Sequence, residues 1–381
     1  MFQHDAQHTG RSPYPGPSCN HVVWRWPGVQ AFLSTPAMGA DGTIFVGDAR
    51  LPVCAVEPTS GTALWCNTDQ EGRVADRSAP AVAADGTVYI GTRDNDLWAI
   101  QPATPAAHVL WRQKVCTDGD ITTSPAIGAD GVVYMGSNSL GAGSLFAMCP
   151  GATRQVKWCT QVGGGVRNVS PALSPDGGTL YVTSNGTTLH ALDAATGAER
   201  WHRLLEIRPN AVPWPNYTPV VDPITGRIYV GFDAGLFAID PDGTSRLLFA
   251  TGREVIESAP ALGLDGTLYV GASRGNASAT FYAIRPDGSV KWSLPLGAGS
   301  GRFRNMQAVI GSDGVVYAAV RRTLYAFDPQ GDGNGHARIL WRFDEAPSPY
   351  AAGPIIGAPG RIYIGSGDKL APTLYAIGDC P

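Results

Sequence analysis

A twelve-residue pattern that returns about every 45 residues constrains the fold of this chain more than any other feature. The form Pro-Ala-x-x-x-Asp-Gly-x-x-Tyr-x-Gly occupies residues 80–91, 125–136 and 260–271, and looser copies occur elsewhere. The aligned copies begin at Pro36, Pro80, Pro125, Pro171, Pro219, Pro260, Ala308 and Pro354. Eight copies of this length are typical of the blades of a β-propeller.

Each copy contains four short apolar runs separated by turns, which predicts four antiparallel strands. In the second copy, Ala81-Val82 leads into the dipeptide Asp85-Gly86, and Val88–Ile90 follows. Asp-Gly between apolar runs is a strong hairpin signal, because both turn positions need a positive φ. Helical periodicity is absent. The sequence therefore predicts an all-β fold, an eight-bladed β-propeller of four-stranded antiparallel blades.

A tryptophan occupies the same fourth-strand position in seven of the copies. These residues are Trp24, Trp65, Trp111, Trp158, Trp201, Trp292 and Trp341. Phe249 is the predicted substitute in the fifth copy. A large flat side chain at a fixed position in every repeat indicates packing between neighbouring blades.

The two ends of the chain are predicted to form one blade together. The chain stops after the third strand of copy eight, whereas His21–Trp26 has the fourth-strand pattern and precedes copy one. We therefore expect an N-terminal arm at 1–18 and a single propeller domain at 19–381, with the N-terminal strand closing the last blade. Superposing both ends on copy four places Cys19 and Cys380 at the same hairpin tip, which predicts a Cys19–Cys380 disulfide.

The remaining cysteines fit two further disulfides. Cys54 and Cys66 flank one turn between strands three and four, and Cys149 and Cys159 flank the equivalent turn two copies later, which leaves Cys116 as the odd cysteine. Disulfides persist in oxidising compartments, so we expect an extracytoplasmic protein in its mature form after removal of a signal peptide. Seven reduced thiols in a cytosolic protein are the alternative.

The segment Ala191–Trp201, Ala-Leu-Asp-Ala-Ala-Thr-Gly-Ala-Glu-Arg-Trp, resembles the tryptophan-docking repeat of the pyrroloquinoline-quinone (PQQ) type propellers, and Ala55–Trp65 is a looser match. The resemblance extends from about His21 to Cys380. It implies the propeller fold but not one activity. The family includes quinoprotein dehydrogenases, which hold PQQ and calcium. It also includes the scaffold lipoprotein of the bacterial outer-membrane assembly machine, which binds proteins and has no cofactor.

The sequence departs from the dehydrogenase pattern. Those enzymes are longer and carry adjacent cysteines over the quinone, whereas this chain contains no Cys-Cys dipeptide and no CxxCH haem motif. No motif matches their calcium ligands or catalytic aspartate. We therefore expect no PQQ and no other organic cofactor.

Charge and hydropathy exclude further classes. The net charge is −4 and the isoelectric point is about 6.0, which argues against a nucleic-acid partner. No apolar run reaches the length of a membrane-spanning helix, so no transmembrane segment is expected. Neither a Ser-His-Asp pattern nor Gly-x-Ser-x-Gly is evident, and a catalytic residue cannot be assigned.

Arginines and an unassigned tryptophan lie in the loops that vary between copies, and we predict a ligand-binding face there. The residues are Arg93, Trp214, Arg274, Arg304 and Arg322. Variable loops on a rigid scaffold are the usual place for recognition. The alternatives are a solvated rim neutralised by nearby acids, and a loop that folds Trp214 over the channel mouth.

One loop has a partial metal-binding pattern. Asp328, Gln330, Asp332 and Asn334 place oxygen-bearing side chains at alternate positions with a glycine sixth, like the first half of a calcium loop. Ile339 stands where such a loop has its final glutamate. A plain hairpin insertion is therefore the favoured alternative to a calcium site.

The function that these observations favour is a non-catalytic binding or scaffold module for a protein or glycan. Two hypotheses remain beside it. One is an enzyme on the same face, either a PQQ-dependent dehydrogenase or a polysaccharide-active propeller. The other is a structural subunit of a surface layer or filament.

Overall fold

A computed structural model describes most of the chain. The described residues are 5–28, 32, 34–47, 53–67, 78–92, 94–103, 107–114, 121–138, 142–149, 155–166, 169–184, 187–205, 217–256, 258–275, 277–297, 307–320, 322–344, 353–358, 360–367 and 371–380. Within these ranges the chain forms eight antiparallel sheets and no helix, which confirms the predicted eight-bladed propeller. Among these residues there is also no helix that is long and apolar enough to cross a membrane.

Each sheet contains four consecutive strands, apart from two exceptions described below. The first blade is β2 (Ala37–Met38), β3 (Ile44–Val46), β4 (Cys54–Val56) and β5 (Ala63–Cys66). The second is β6 (Ala81–Val82), β7 (Val88–Gly91), β8 (Asp96–Gln101) and β9 (His108–Lys114). The third is β10 (Ala126–Ile127), β11 (Val133–Asn138), β12 (Ala142–Met148) and β13 (Val156–Gly163). The fourth is β14 (Ala172–Leu173), β15 (Thr179–Ser184), β16 (Thr188–Asp193) and β17 (Glu199–Leu204).

The second half of the ring repeats this plan. The fifth blade is β18 (Val220–Val221), β19 (Ile228–Gly231), β20 (Gly235–Ile239) and β21 (Ser245–Ala250). The sixth has an extra strand, β22 (Val255–Ile256), before β23 (Ala261–Leu262), β24 (Leu268–Ser273), β25 (Ala279–Ile284) and β26 (Val290–Pro295). The seventh is β27 (Ala308–Ile310), β28 (Val316–Val320), β29 (Thr323–Asp328) and β30 (Arg338–Phe343). The eighth joins β31 (Ile355–Gly357), β32 (Arg361–Gly365) and β33 (Thr373–Gly378) to β1 (His21–Pro27).

The eighth blade closes the ring as predicted. Strand β1 runs antiparallel to β33, with His21 opposite Gly378. Cys19 and Cys380 form a disulfide, with an S–S distance of 2.09 Å. Beside it, the backbone N–H and the hydroxyl of Ser18 both donate to Asp379 Oδ1, at 2.7 and 2.8 Å. The two chain ends are thus joined by a strand pair, a covalent bond and hydrogen bonds.

One of the other two predicted disulfides is present and one is wrong. Cys54 and Cys66 face each other across β4 and β5 and are bonded. Cys159, however, lies opposite Phe146, while the N–H of Cys149 donates to the carbonyl of Gln155. Cys149 is three residues beyond Phe146, which is the position opposite Cys159, so Cys149 and Cys159 do not face each other and are not bonded to each other. Cys116 lies outside the described residues.

Neighbouring blades are joined by the predicted tryptophans. In blade three, Trp158 donates its indole N–H to the carbonyl of Ala194 in the next blade, at 2.9 Å, and its ring lies 6.0 Å from Tyr134 of its own blade. The same donation is made by Trp24 to Pro58, Trp201 to Pro241, Trp292 to Pro329 and Trp341 to Pro17. Each of these carbonyl acceptors lies at or beside the turn between the last two strands of the following blade.

The fifth blade uses an aliphatic residue at this position, and the prediction of Phe249 is wrong. Leu248 is the buried residue there, packed with Tyr229 and against Gly288 of the following blade. Phe249 is only half buried and contacts Tyr282 instead. The bulge of β21 lies at Leu248, which turns this side chain toward the next blade.

Trp158 packs so closely on the next turn that it dictates a glycine there. Gly197 has φ +74°, and a Cβ on it would lie 2.5 Å from the Trp158 ring. We expect Gly197→Ala to reduce the free energy of unfolding by at least about 2 kcal/mol, because overpacking adds to the cost of a left-handed backbone. Gly177→Ala is the matched control, since Gly177 has φ +71° in the same blade but open space around it. Urea denaturation measures both, and equal losses would contradict tryptophan docking as the cause.

Candidate functional site

The ring has two ends of different character. The Asp-Gly face, as we call it, carries the turns between strands one and two and between strands three and four of each blade. The variable face carries the connections between strands two and three and between successive blades. Antiparallel order places these two sets of connections at opposite ends of every sheet.

A belt of hydrogen bonds lines the axis next to the variable face. At four described junctions, the residue two positions before the first strand of a blade donates its N–H to a hydroxyl at the same position in the next blade. The bonds run from Ala79 to Ser124, at 2.9 Å, from Ser124 to Ser170, at 3.3 Å, and from Ser170 to Thr218, at 3.2 Å. Gly353 continues the pattern to Thr35, at 3.3 Å. These bonds satisfy backbone donors that would otherwise be buried without partners.

The belt leaves the axis narrow. Ala79 of blade two and Ala259 of blade six, which lie in opposite halves of the ring, are both buried and pack on each other. The Thr35 hydroxyl also donates to Gln307 Oε1. This amide oxygen lies beside Gly353, so close that a Cβ on residue 353 would be 2.6 Å from it. A ligand on the variable face would therefore meet a floor of hydroxyl and methyl groups.

The N-terminal arm covers the axis at the Asp-Gly face, which sequence reasoning missed. In four blades, the last residue of the first strand of the repeat (β14, β18, β23 or β27) donates its N–H to a carbonyl of the arm, at 2.8–2.9 Å. The bonds run from Leu173 to Ala6, Val221 to Gln7, Leu262 to Thr9 and Ile310 to Gly10. The Ser12 hydroxyl then donates to Ile356 of blade eight, at 3.2 Å. The arm has no apolar period because it is held mainly through its backbone, so no pattern in its sequence could indicate this course.

Two of the five predicted ligand-face residues lie in the described part of the chain. Arg274 and Arg322 are exposed, and they occupy the turns between strands two and three of blades six and seven. Those turns are on the variable face, as the repeat pattern implies. Arg93, Trp214 and Arg304 lie outside the described residues, so a convergence of all five stays a prediction.

The fourth blade contains a Ser-His-Glu arrangement that was not predicted. The Ser184 hydroxyl lies 3.0 Å from His190 Nε2, and His190 Nδ1 lies 2.7 Å from Glu199 Oε1. These distances suit a nucleophile, a base and an orienting acid. Burial lowers the pKa of His190, while Glu199 raises it and does not fully compensate. Ser184, His190 and Glu199 lie on the paired strands β15, β16 and β17. Aligning the three strands of this repeat in their predicted register could have brought the three residues together.

The exposure of these three side chains is the reverse of that in the catalytic triad of a hydrolase. Ser184 and His190 are buried, with 3% and 5% of their surface exposed, whereas the Glu199 side chain is 38% exposed. A serine nucleophile has to meet substrate, and the acid behind it is normally the enclosed group. The arrangement is better explained as a polar network that satisfies a buried histidine.

The proposed calcium loop is a hairpin insertion in this structure. Asp328 accepts a hydrogen bond from the Gln330 N–H at 2.8 Å, and Asp332 accepts from Asn334 at 2.8 Å and from His336. The insertion also pairs with the outer strand of blade six, because Ser293 exchanges backbone hydrogen bonds with Gly335 and Ala337 at 3.0 Å. Calcium binding by these residues stays a prediction, but the carboxylates already serve the hairpin.

The described residues do not fit a quinone–metal site. They contain no group of three or more His, Cys, Asp or Glu side chains placed to hold a metal ion. The buried carboxylate of Glu254 near the variable face accepts from Thr280 and Tyr282, both at 3.2 Å, and so serves its own blade. The chain also lacks adjacent cysteines. No catalytic step through a quinone is derived from this arrangement.

Comparison with known families is consistent with the repeat and the fold. A family model described as outer membrane protein assembly factor BamB matches residues 17–203 and 105–251. Together the two ranges cover more than half of the chain.

The individual matches include two dehydrogenases and one assembly factor. A polyvinylalcohol dehydrogenase from a Pseudomonas species is 28% identical over 250 residues, which cover 53% of this chain and only 38% of that protein. The solved structure of BamB from Moraxella catarrhalis has a TM-score of 0.69 at 17% identity, covering 94% of this chain and 99% of that one. Quinohemoprotein alcohol dehydrogenase from Comamonas testosteroni has a TM-score of 0.76 at 14% identity, covering 100% and 81%. At such identities the two structures show the fold alone.

The arm carries a titratable group that makes its attachment sensitive to pH. His8 is 1% exposed and lies 3.3 Å from the Pro219 carbonyl, and burial lowers its pKa to about 3. Below pH ~6.5 the unfolded chain binds a proton that the folded chain does not. Stability should therefore fall by about 1.4 kcal/mol between pH ~7.5 and ~5.5 through this group.

His8→Asn should remove that part of the slope, because asparagine tolerates the φ of 59° at this position. His108→Gln, at an exposed position, is the control and should keep the wild-type slope. Denaturant unfolding at several pH values measures the slope of the free energy of unfolding against pH for each variant. An unchanged slope in His8→Asn would contradict a neutral buried histidine.

Proposed function

We propose that this chain, which belongs to the outer membrane protein assembly factor BamB family, is a non-catalytic binding propeller that acts outside the cytoplasm. The observation that carries the proposal is the closed axis. Ala79 and Ala259 meet at its centre and the arm covers the Asp-Gly end, so a macromolecule would dock on the ring and not pass through it. The variable face, with exposed Arg274 and Arg322, is the docking surface.

The two disulfides support the proposed location. Cys19–Cys380 and Cys54–Cys66 link strand ends, and bonds of this kind persist in oxidising compartments such as the periplasm or the exterior. The solved BamB structure, which carries the name of an assembly factor, and the quinohemoprotein alcohol dehydrogenase structure both share this fold. The proposed partner is a protein, with a glycan as the alternative.

The docking surface is tested by reversing charge on the variable face. The tagged chain is expressed in its native host, cross-linked, and its partners are quantified by mass spectrometry. Arg274→Glu with Arg322→Glu should lower partner yield at least about fivefold, because like charges at an interface repel. Trp214→Ala and Arg304→Glu should act in the same direction.

The control for this experiment is Arg246→Glu, an exposed arginine at the Asp-Gly end of β21. It makes the same charge change on the opposite face and should leave the partner yield intact. A partner that is insensitive to the variable-face changes and lost with Arg246→Glu would place recognition on the other face.

A quinone-dependent dehydrogenase is the second candidate, and the match to polyvinylalcohol dehydrogenase favours it. Calorimetry with PQQ and calcium separates the two. We expect no saturable binding tighter than about micromolar, because the described donors do not form a metal site. Tight binding accompanied by dye-linked oxidation of an alcohol would favour the enzyme over the scaffold.

A further inference from the structure

The arm pairs with only part of the ring, and the unpaired part has the same geometry. In blade seven, Gly311 donates within its own blade to Val315, while the preceding residue, Ile310, donates its N–H toward the axis, to Gly10. In blade one, Gly39 donates in the same way to Thr43, so Met38 presents its N–H and C=O toward the axis. Val82 and Ile127 stand at the same position in blades two and three.

These three residues have no partner for the axis-facing groups among the described residues. The arm reaches blade four at Ala6, and from there it runs to blade eight. Among the described residues, the inner edges of blades one and two are therefore unpaired at the same level as the paired ones. Met38 and Val82 are half-buried there, whereas Ile127 of blade three is buried. A free edge of this kind is a template for an extended chain.

A cavity of about 350 Å³ lies where the arm ends and this free arc begins. Its walls include Met38 and Ile355 from the first strands of blades one and eight, and Asp5, Arg11 and Tyr14 from the arm. The walls are thus apolar on the ring side and charged on the arm side.

The two charges in the cavity are not equivalent. The Asp5 carboxylate accepts hydrogen bonds from both the backbone N–H and the hydroxyl of Thr9, so it is used within the arm. The Arg11 guanidinium makes no hydrogen bond or ion pair with any described residue, and it is half exposed. A guanidinium on the wall of a concave site is suited to a carboxylate.

We propose that this arc of the Asp-Gly face, from Arg11 and Met38 toward Val82, binds an extended acidic peptide segment of a partner protein. The peptide would pair its backbone with Met38 as the arm pairs with Ile310, and its carboxylate would lie on Arg11. The site is at the opposite end of the axis from the variable face. It is therefore independent of the proposed function, and either can fail alone.

The probe is the tetrapeptide acetyl-Val-Glu-Val-Glu-amide, with acetyl-Val-Gln-Val-Gln-amide as its uncharged counterpart. The chain has five methionines, so ¹³C-methyl labelling gives a small set of resonances, and Met38→Leu assigns the one that lines the cavity. We expect a saturable shift of the Met38 methyl group with the acidic peptide. Met135, fully buried between blades two and three, should not shift.

Arg11→Gln should lower the affinity for the acidic peptide at least about tenfold and bring it to that for the uncharged peptide. Arg246→Gln, at an exposed position on the same face, should leave the affinity for the acidic peptide unchanged. Thermal unfolding of Arg11→Gln checks that the arm is still attached. Equal binding of both peptides, or no saturable shift at Met38 in a folded protein, would overturn the proposal. So would binding that appears only after residues 1–4 are deleted, because the chain's own N-terminus would then be the occupant.

Discussion

The hydrogen bond from a fourth-strand tryptophan to the next blade is the interaction on which this ring depends. Trp158 contacts a tyrosine of its own blade and a carbonyl of the following blade, so it links two blades that are adjacent in the ring. A blade without a successor would leave a buried indole donor unsatisfied, at a cost of about 1–3 kcal/mol. The ring must therefore close. Trp341 satisfies this requirement by donating to Pro17, a residue from the opposite end of the chain.

Ring closure also explains why a disulfide joins the two ends of the chain. The Cys19–Cys380 bond spans 361 residues, and the Cys54–Cys66 bond spans 12. In the chain-entropy model these separations correspond to about 6 and about 3 kcal/mol of stabilisation. The larger stabilisation belongs to the pairing of β33 with β1, the two strands of one blade that come from opposite ends of the chain. In the other seven blades the last two strands are consecutive in the chain.

The features that could be predicted from the sequence are those that the repeat encodes at fixed positions. The exact register of paired strands and the contacts made by the main chain of the arm could not be predicted. The Asp-Gly turns, the docking tryptophans and the Cys19–Cys380 bond follow from residues at fixed positions in aligned copies. The prediction of a Cys149–Cys159 bond was wrong because Cys149 is three residues beyond the position that pairs with Cys159. Leu248 takes the place predicted for Phe249 because a bulge shifts β21 by one residue. The arm was missed because its contacts are mostly main-chain groups, which any sequence supplies.

The arm changes what the regular Asp-Gly face can do. Six of the eight turns between strands one and two contain Asp-Gly, and turns this similar offer a partner little to distinguish. A single extended segment laid across blades four to eight breaks this symmetry. It pairs with the inner edges there, while Met38 and Val82 have no such partner among the described residues. It also brings Arg11, a charge that no repeat supplies, to the boundary between the two arcs. Chemical selectivity at this end of the ring therefore comes from the non-repeating residues, just as it comes from the unequal loops at the other end.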